Sequence, residues 1–184
     1  INGVPAASIL LIPGLTTALH LVIVSLIIIF SAPVLFAATV PSSWLYFFLT
    51  MLACTLACSG IGILIGVVSP STRMTVLYSQ IIFVPSMLLG GLMMPFSMLP
   101  ETAQTAAQLL PASQAMNAFN GLAMGSTADF NPWTSLLILA ASGLLAFLLA
   151  LYLFSWDSKN SERRGHPALA LLALIPYIIG ILLL

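Results

Sequence analysis

Five long apolar stretches occupy most of this chain, and none of them contains an Asp, Glu, Lys or Arg. They run from about Leu15 to Ala38, Trp44 to Val68, Thr75 to Met94, Trp133 to Phe154, and Pro167 to Leu184. A bilayer core about 30 Å thick is crossed by roughly 20 apolar residues in an α-helix. The first four stretches reach that length, the first counted from the breaker Pro13-Gly14, and the fifth is only just long enough. They lack the two-residue alternation of a membrane β-barrel. A helix also satisfies its own backbone polar groups in hydrocarbon. The pattern predicts an all-α integral membrane protein of about five transmembrane helices. Composition excludes a soluble fold: 61% of residues are hydrophobic and 4% charged, against about 25% charged in soluble domains.

The few charges set an orientation. All four basic residues lie in two loops, Arg73 in residues 69–74 and Lys159, Arg163 and Arg164 in residues 156–166. Basic loops stay cytoplasmic, and two intervening spans put both loops on one side. Residues 95–132, with only Glu101 and Asp129, are then expected outside, in keeping with a bacterial inner membrane. Prolines 95, 100, 111 and 132 divide that segment. Glu101–Leu110 and Ala112–Met124 each have a polar and an apolar face. They are too short to cross, so the expectation is an extracytoplasmic re-entrant hairpin, or a surface-lying pair, with Pro111 at the junction.

Small residues mark the helix contacts. Cys54, Cys58, Gly62 and Gly66 recur every four residues on the second span, and Ser142, Ala146 and Ala150 do so on the fourth. Such stripes let helices approach closely in lipid. They fit packing within the bundle or a dimer interface. The two cysteines fall in an apolar run, which disfavours a disulfide framework or a metal site. His20 is the one ionisable candidate for a polar pathway contact, and a structural hydrogen bond is the competing role. No nucleophile elbow, zinc-binding or nucleotide-binding motif occurs, and the paired carboxylates of an acid–base site are missing: Glu101 and Asp129 are expected outside, Asp157 and Glu162 inside.

From Gly60 to Gly125 the sequence resembles the permeases of the ABC-2 type transporter family. A small-residue span ends in GILIGVVSPSTR, the next ends in LLGGLMMPFSMLP, and TAQTAAQLLPASQAMNAFNGLAMG follows. Gly90-Gly91, Pro95, Leu99-Pro100, Pro111 and Gly125 stand where that family carries a glycine pair, its prolines and a closing glycine. The resemblance implies one ABC-2 type transmembrane domain over residues 1–184, with two re-entrant outer helices before the family's sixth span. It places the first two family spans and a coupling helix before Ile1. The apolar run after residue 166 departs from the pattern.

The resemblance also implies a permease that pairs with a second copy or a homologous permease. Separate ABC ATPase subunits would hold ATP and Mg, and the chain itself would carry no cofactor and bind no nucleic acid. An apolar pathway points to export of an amphipathic or lipid-like substrate or drug. The alternatives are a non-transporting membrane scaffold or sensor, and an intramembrane enzyme centred on His20.

Overall fold

The computed structural model describes residues 6–154 and 166–183. Among them there are helices and no strands. The order is α1 (Ala6–Phe36), α2 (Trp44–Val68), α3 (Thr72–Leu89), α4 (Glu101–Gln108), α5 (Pro111–Ala118), α6 (Pro132–Leu153) and α7 (Ile175–Leu183). A π-helical turn at Phe119–Ala123 extends α5, and a 3₁₀ helix at Pro167–Leu174 leads into α7. Among the described residues, three helices are long and apolar enough to cross a membrane: Ser8–Phe36 within α1, α2 and α6. The protein is an all-α integral membrane protein.

The structure corrects several expected boundaries. Pro13 does not break the first span but lies inside α1, which begins at Ala6. A proline removes one intrahelical hydrogen bond and crowds the preceding turn, a loss that membrane helices tolerate where a neighbour re-satisfies the backbone. Ser59 of α2 braces the same turn, donating its hydroxyl to the Gly14 carbonyl at 3.2 Å, while the carbonyl that Pro13 deprives of its usual donor is that of Ile9, four residues back. The third span ends at Leu89 rather than Met94. Gly90 caps it, and Gly91 turns the chain at φ +81°, a conformation that favours glycine. Its start moves too: Ser71 accepts the Met74 N–H, so Arg73 stands in the first turn of α3 and not in a loop. At 18 residues, α3 falls at the short limit for a span.

The fifth stretch is not one α-helix. A 3₁₀ helix rises about 2.0 Å per residue against 1.5 Å for an α-helix, so the eight 3₁₀ and nine α residues together reach about 30 Å. The 3₁₀ half gives a short segment the length of the bilayer core. Tyr177 anchors this segment to α6. It is fully buried, and its hydroxyl lies 2.9 Å from Ser142 Oγ, which also reaches the Leu139 carbonyl. Hydrogen bonds between membrane helices contribute about 0.6–1 kcal/mol. Tyr177→Phe should lower the unfolding free energy by that amount, measured by SDS titration. Ser142→Ala added to it should cost little more, because the two share one bond.

The most extensive interhelix contact is α2 against α6. It is not made by the stripe at Cys54, Cys58, Gly62 and Gly66. A Cβ built on Gly62 or Gly66 meets nothing within 4 Å. The contact uses the adjacent face, where Ala53 and Ala57 pack with Leu139 of α6 and Gly60 abuts Gly143. The α6 stripe at Ser142, Ala146 and Ala150 is wholly buried. Leu64 extends this core to Ala146, Ala150 and Ala173. On α1 an apolar stripe at Leu15, Leu19, Ile23, Ile27, Phe30 and Val34 remains exposed, as a lipid-facing or subunit-facing side does. Trp44 and Trp133 begin α2 and α6 at the same end, where Phe30 stacks on Trp44 and Tyr46 meets Trp133 edge-on. Aromatic girdles of this kind mark a membrane–water boundary.

Candidate functional site

The hairpin enters the bundle. Ala115 of α5 packs on Ala53 and Ala57, which lie about 14–20 Å along α2 from Trp44 at 1.5 Å per residue. The elbow between α4 and α5 therefore reaches roughly the middle of a 30 Å core. Pro111 is the first residue of α5 rather than a spacer between helices. Its missing N–H and fixed φ suit that position.

The polar face of α5 turns inward. Ser113, Gln114 and Asn117 are all buried, because backbone carbonyls there need donors that lipid cannot supply. Ser113 donates to the Leu89 carbonyl at 3.5 Å, and Gln114 Nε2 to the Gln108 carbonyl at 2.7 Å. Asn117 is the hub. Its Nδ2 donates to the Phe130 carbonyl at 2.9 Å and to Ser135 Oγ at 3.0 Å. Its Oδ1 accepts from the N–H groups of Asp129 at 2.9 Å and Phe130 at 3.2 Å. One side chain thus ties the hairpin to the start of α6. The π turn is tied to the connection between α1 and α2: the Ala123 carbonyl accepts from Ser42 Oγ at 2.9 Å and from the Ser43 N–H at 3.1 Å.

The signature residues fall around this hairpin. Gly90, Gly91 and Pro95 line a polar pocket of about 200 Å³ with Ser113, Asn117 and Asp129. Pro100 opens α4, its carbonyl accepting from Ala103 and Gln104. Gly125 turns at φ +63°, and a Cβ there would sit 3.0 Å from Ser42 Oγ. Pro111 instead borders a second, larger cavity of about 650 Å³, a cleft lined by α1, α2, α3 and α5 and open on one side. Cys54, Cys58 and Gly62 face this cavity, so most of the four-residue stripe lines a space instead of a helix contact. His20 is exposed on α1 and lines none of the cavities described. Among the described residues no cluster of metal-ligating side chains occurs.

Two kinds of residue escape sequence reading here. Asn117 shows only as one polar position on an amphipathic helix. Thr50 and the Gly60–Gly143 contact carry no local signal.

These features define a polytopic α-helical membrane protein with a re-entrant hairpin set over an apolar intramembrane cavity. Residues 2–124 match the family model described as the ABC-2 type transporter, and the chain belongs to that family. The match spans α1 to the end of the π turn. No curated protein and no solved structure gives a significant match.

Proposed function

We propose that the chain is the membrane-spanning permease subunit of an ATP-driven ABC transporter that exports an amphipathic or lipid-like substrate or drug. The observation that carries this reading is the 650 Å³ cavity, which the hairpin borders in a chain of the ABC-2 family. Its walls are apolar side chains with scattered hydroxyls and thiols, a surface suited to hydrocarbon rather than to ions. The domain extends through α6 and the segment beyond it. A second copy or a homologous permease completes the pathway.

Residues 69–74 face the cytoplasm in this reading, with 156–166, which lie almost wholly outside the described residues. ABC ATPase subunits dock on that side and bind ATP and Mg. The hairpin lies on the outer side as a gate, and Gly90-Gly91 is the hinge where it leaves α3. Differential contacts of the two nucleotide states must bias the pathway between its two accesses.

Co-expression of the full-length protein with ABC ATPase subunits tests the proposal. A stable complex is expected, with ATP hydrolysis stimulated in vesicles by amphipathic compounds. Failure of the intact protein to retain any such subunit overturns it.

A further inference from the structure

Thr50 has an incomplete environment. It is 3% exposed, and its Oγ1 has no hydrogen-bond partner. Three helical threonines elsewhere, Thr16, Thr75 and Thr105, satisfy the hydroxyl on the carbonyl four residues back. A buried hydroxyl left without a partner is destabilising, more so where no water can reach it. Thr50 lines the 650 Å³ cavity. One χ1 step of about 120° carries the hydroxyl to the site its methyl occupies and the methyl to that of the Cβ hydrogen, where a polar atom inside the cavity can complete the bond.

The shape and chemistry of the cavity restrict its occupant. It borders α2 from Phe47 to Ile65, about 27 Å at 1.5 Å per residue, which makes it long and narrow. Its volume lies in the range of small-molecule sites, roughly 300–1,000 Å³. Among the described residues no charged side chain lines it. A charged head group would be stripped of water there with nothing to pair with.

We propose that this cavity binds an uncharged amphiphile, a long hydrocarbon body carrying one hydroxyl, ester or amide group, with Thr50 as the anchor for that group. The inference rests on the permease reading for its link to transport, and names the head-group class of the cargo. Binding itself is independent of that reading.

The two native thiols on the cavity wall, Cys54 and Cys58, supply the measurement. The full-length protein in nanodiscs is labelled with a membrane-permeant maleimide, with or without a long-chain fatty alcohol. A fatty acid and an alkylammonium of equal chain length, both charged at pH 8, are the controls. The alcohol should slow labelling severalfold and the charged analogues should not. Thr50→Val should raise the alcohol concentration needed for protection roughly five- to tenfold, the loss of about one hydrogen bond. The same variant should keep or raise thermal stability, because it removes an unpartnered hydroxyl. Equal protection by the charged analogues overturns the proposal, as does unchanged protection in Thr50→Val. Thiols that resist labelling before any probe is added also overturn it, by showing that protein already fills the cavity. Protection that persists when no ATPase subunit is retained leaves this site standing and removes the permease reading alone.

Discussion

Gly143→Ala should separate α2 from α6 and cost the fold roughly 3 kcal/mol, although it adds one methyl group. A Cβ at that position falls 2.6 Å from Ala57 N, Leu56 C and Leu56 O. All three are backbone atoms, so no rotamer change relieves the clash and the helices must move apart. The movement loosens the contacts of Ala57 and Ala146, both wholly buried in the same seam. Gly60→Ala should behave alike, because its Cβ meets the Gly143 carbonyl. Gly62→Ala is the matched control: its Cβ meets nothing, and alanine is favoured over glycine in a helix by about 1 kcal/mol. Unfolding midpoints in detergent should therefore fall for residues 60 and 143 and hold or rise for residue 62. A uniform loss at all three would mean that the stripe at Cys54, Cys58, Gly62 and Gly66 is packed against a partner in the protein as purified.

That contrast shows what the sequence carries and what it does not. The extents of α2 and α6 are legible to within a residue, because long uncharged runs end at strong local signals, Ser69-Pro70 after α2 and Asn131-Pro132 before α6. The hairpin is legible as two helices for the same reason, since Pro100 and Pro111 fix their first turns. The face by which α2 meets α6 is not legible. Two small-residue stripes lie side by side on α2, one at Ala53, Ala57 and Gly60 and the other at Cys54, Cys58, Gly62 and Gly66. Periodicity identifies both equally, and the choice depends on where α6 comes to rest. Pro13 misleads because a proline costs a helix one hydrogen bond, while the rest of the ladder continues through it in a long apolar run; the bond from Ser59 to the same turn, 45 residues away, carries no local signal. The hydrogen bonds of Asn117 and Tyr177 are long-range in the same sense. Their partners are backbone atoms or hydroxyls with no sequence signature of their own.

Asn117→Leu should release the hairpin from α6, and with it any gating role the hairpin has. Leucine keeps the heavy-atom count and Cγ branching of asparagine, although its methyl groups are bulkier, and removes four hydrogen bonds at once. The groups left behind do not fare equally. Ser135 Oγ keeps the Asn131 carbonyl at 3.4 Å, and Asp129 is exposed enough for water to reach its N–H. The N–H and carbonyl of Phe130 lie beside a buried side chain, and each unpaired buried polar group costs about 1–3 kcal/mol. A loss of roughly 3 kcal/mol is therefore expected. Ser135→Ala should cost about 1 kcal/mol or less, since Asn117 Nδ2 retains Phe130. The damage should also be local. The α2–α6 seam lies deeper along the helices and does not use Asn117, so global helicity should survive while α5 loosens. Hydrogen exchange over residues 111–131 should then rise in Asn117→Leu with little change in α2, whereas Gly143→Ala should raise exchange in α2 and α6 first. Transport by the assembled complex should fall steeply in Asn117→Leu if the hairpin gates the pathway. A variant with a loosened hairpin and full transport would leave Asn117 a structural tie and move the gate elsewhere in the bundle.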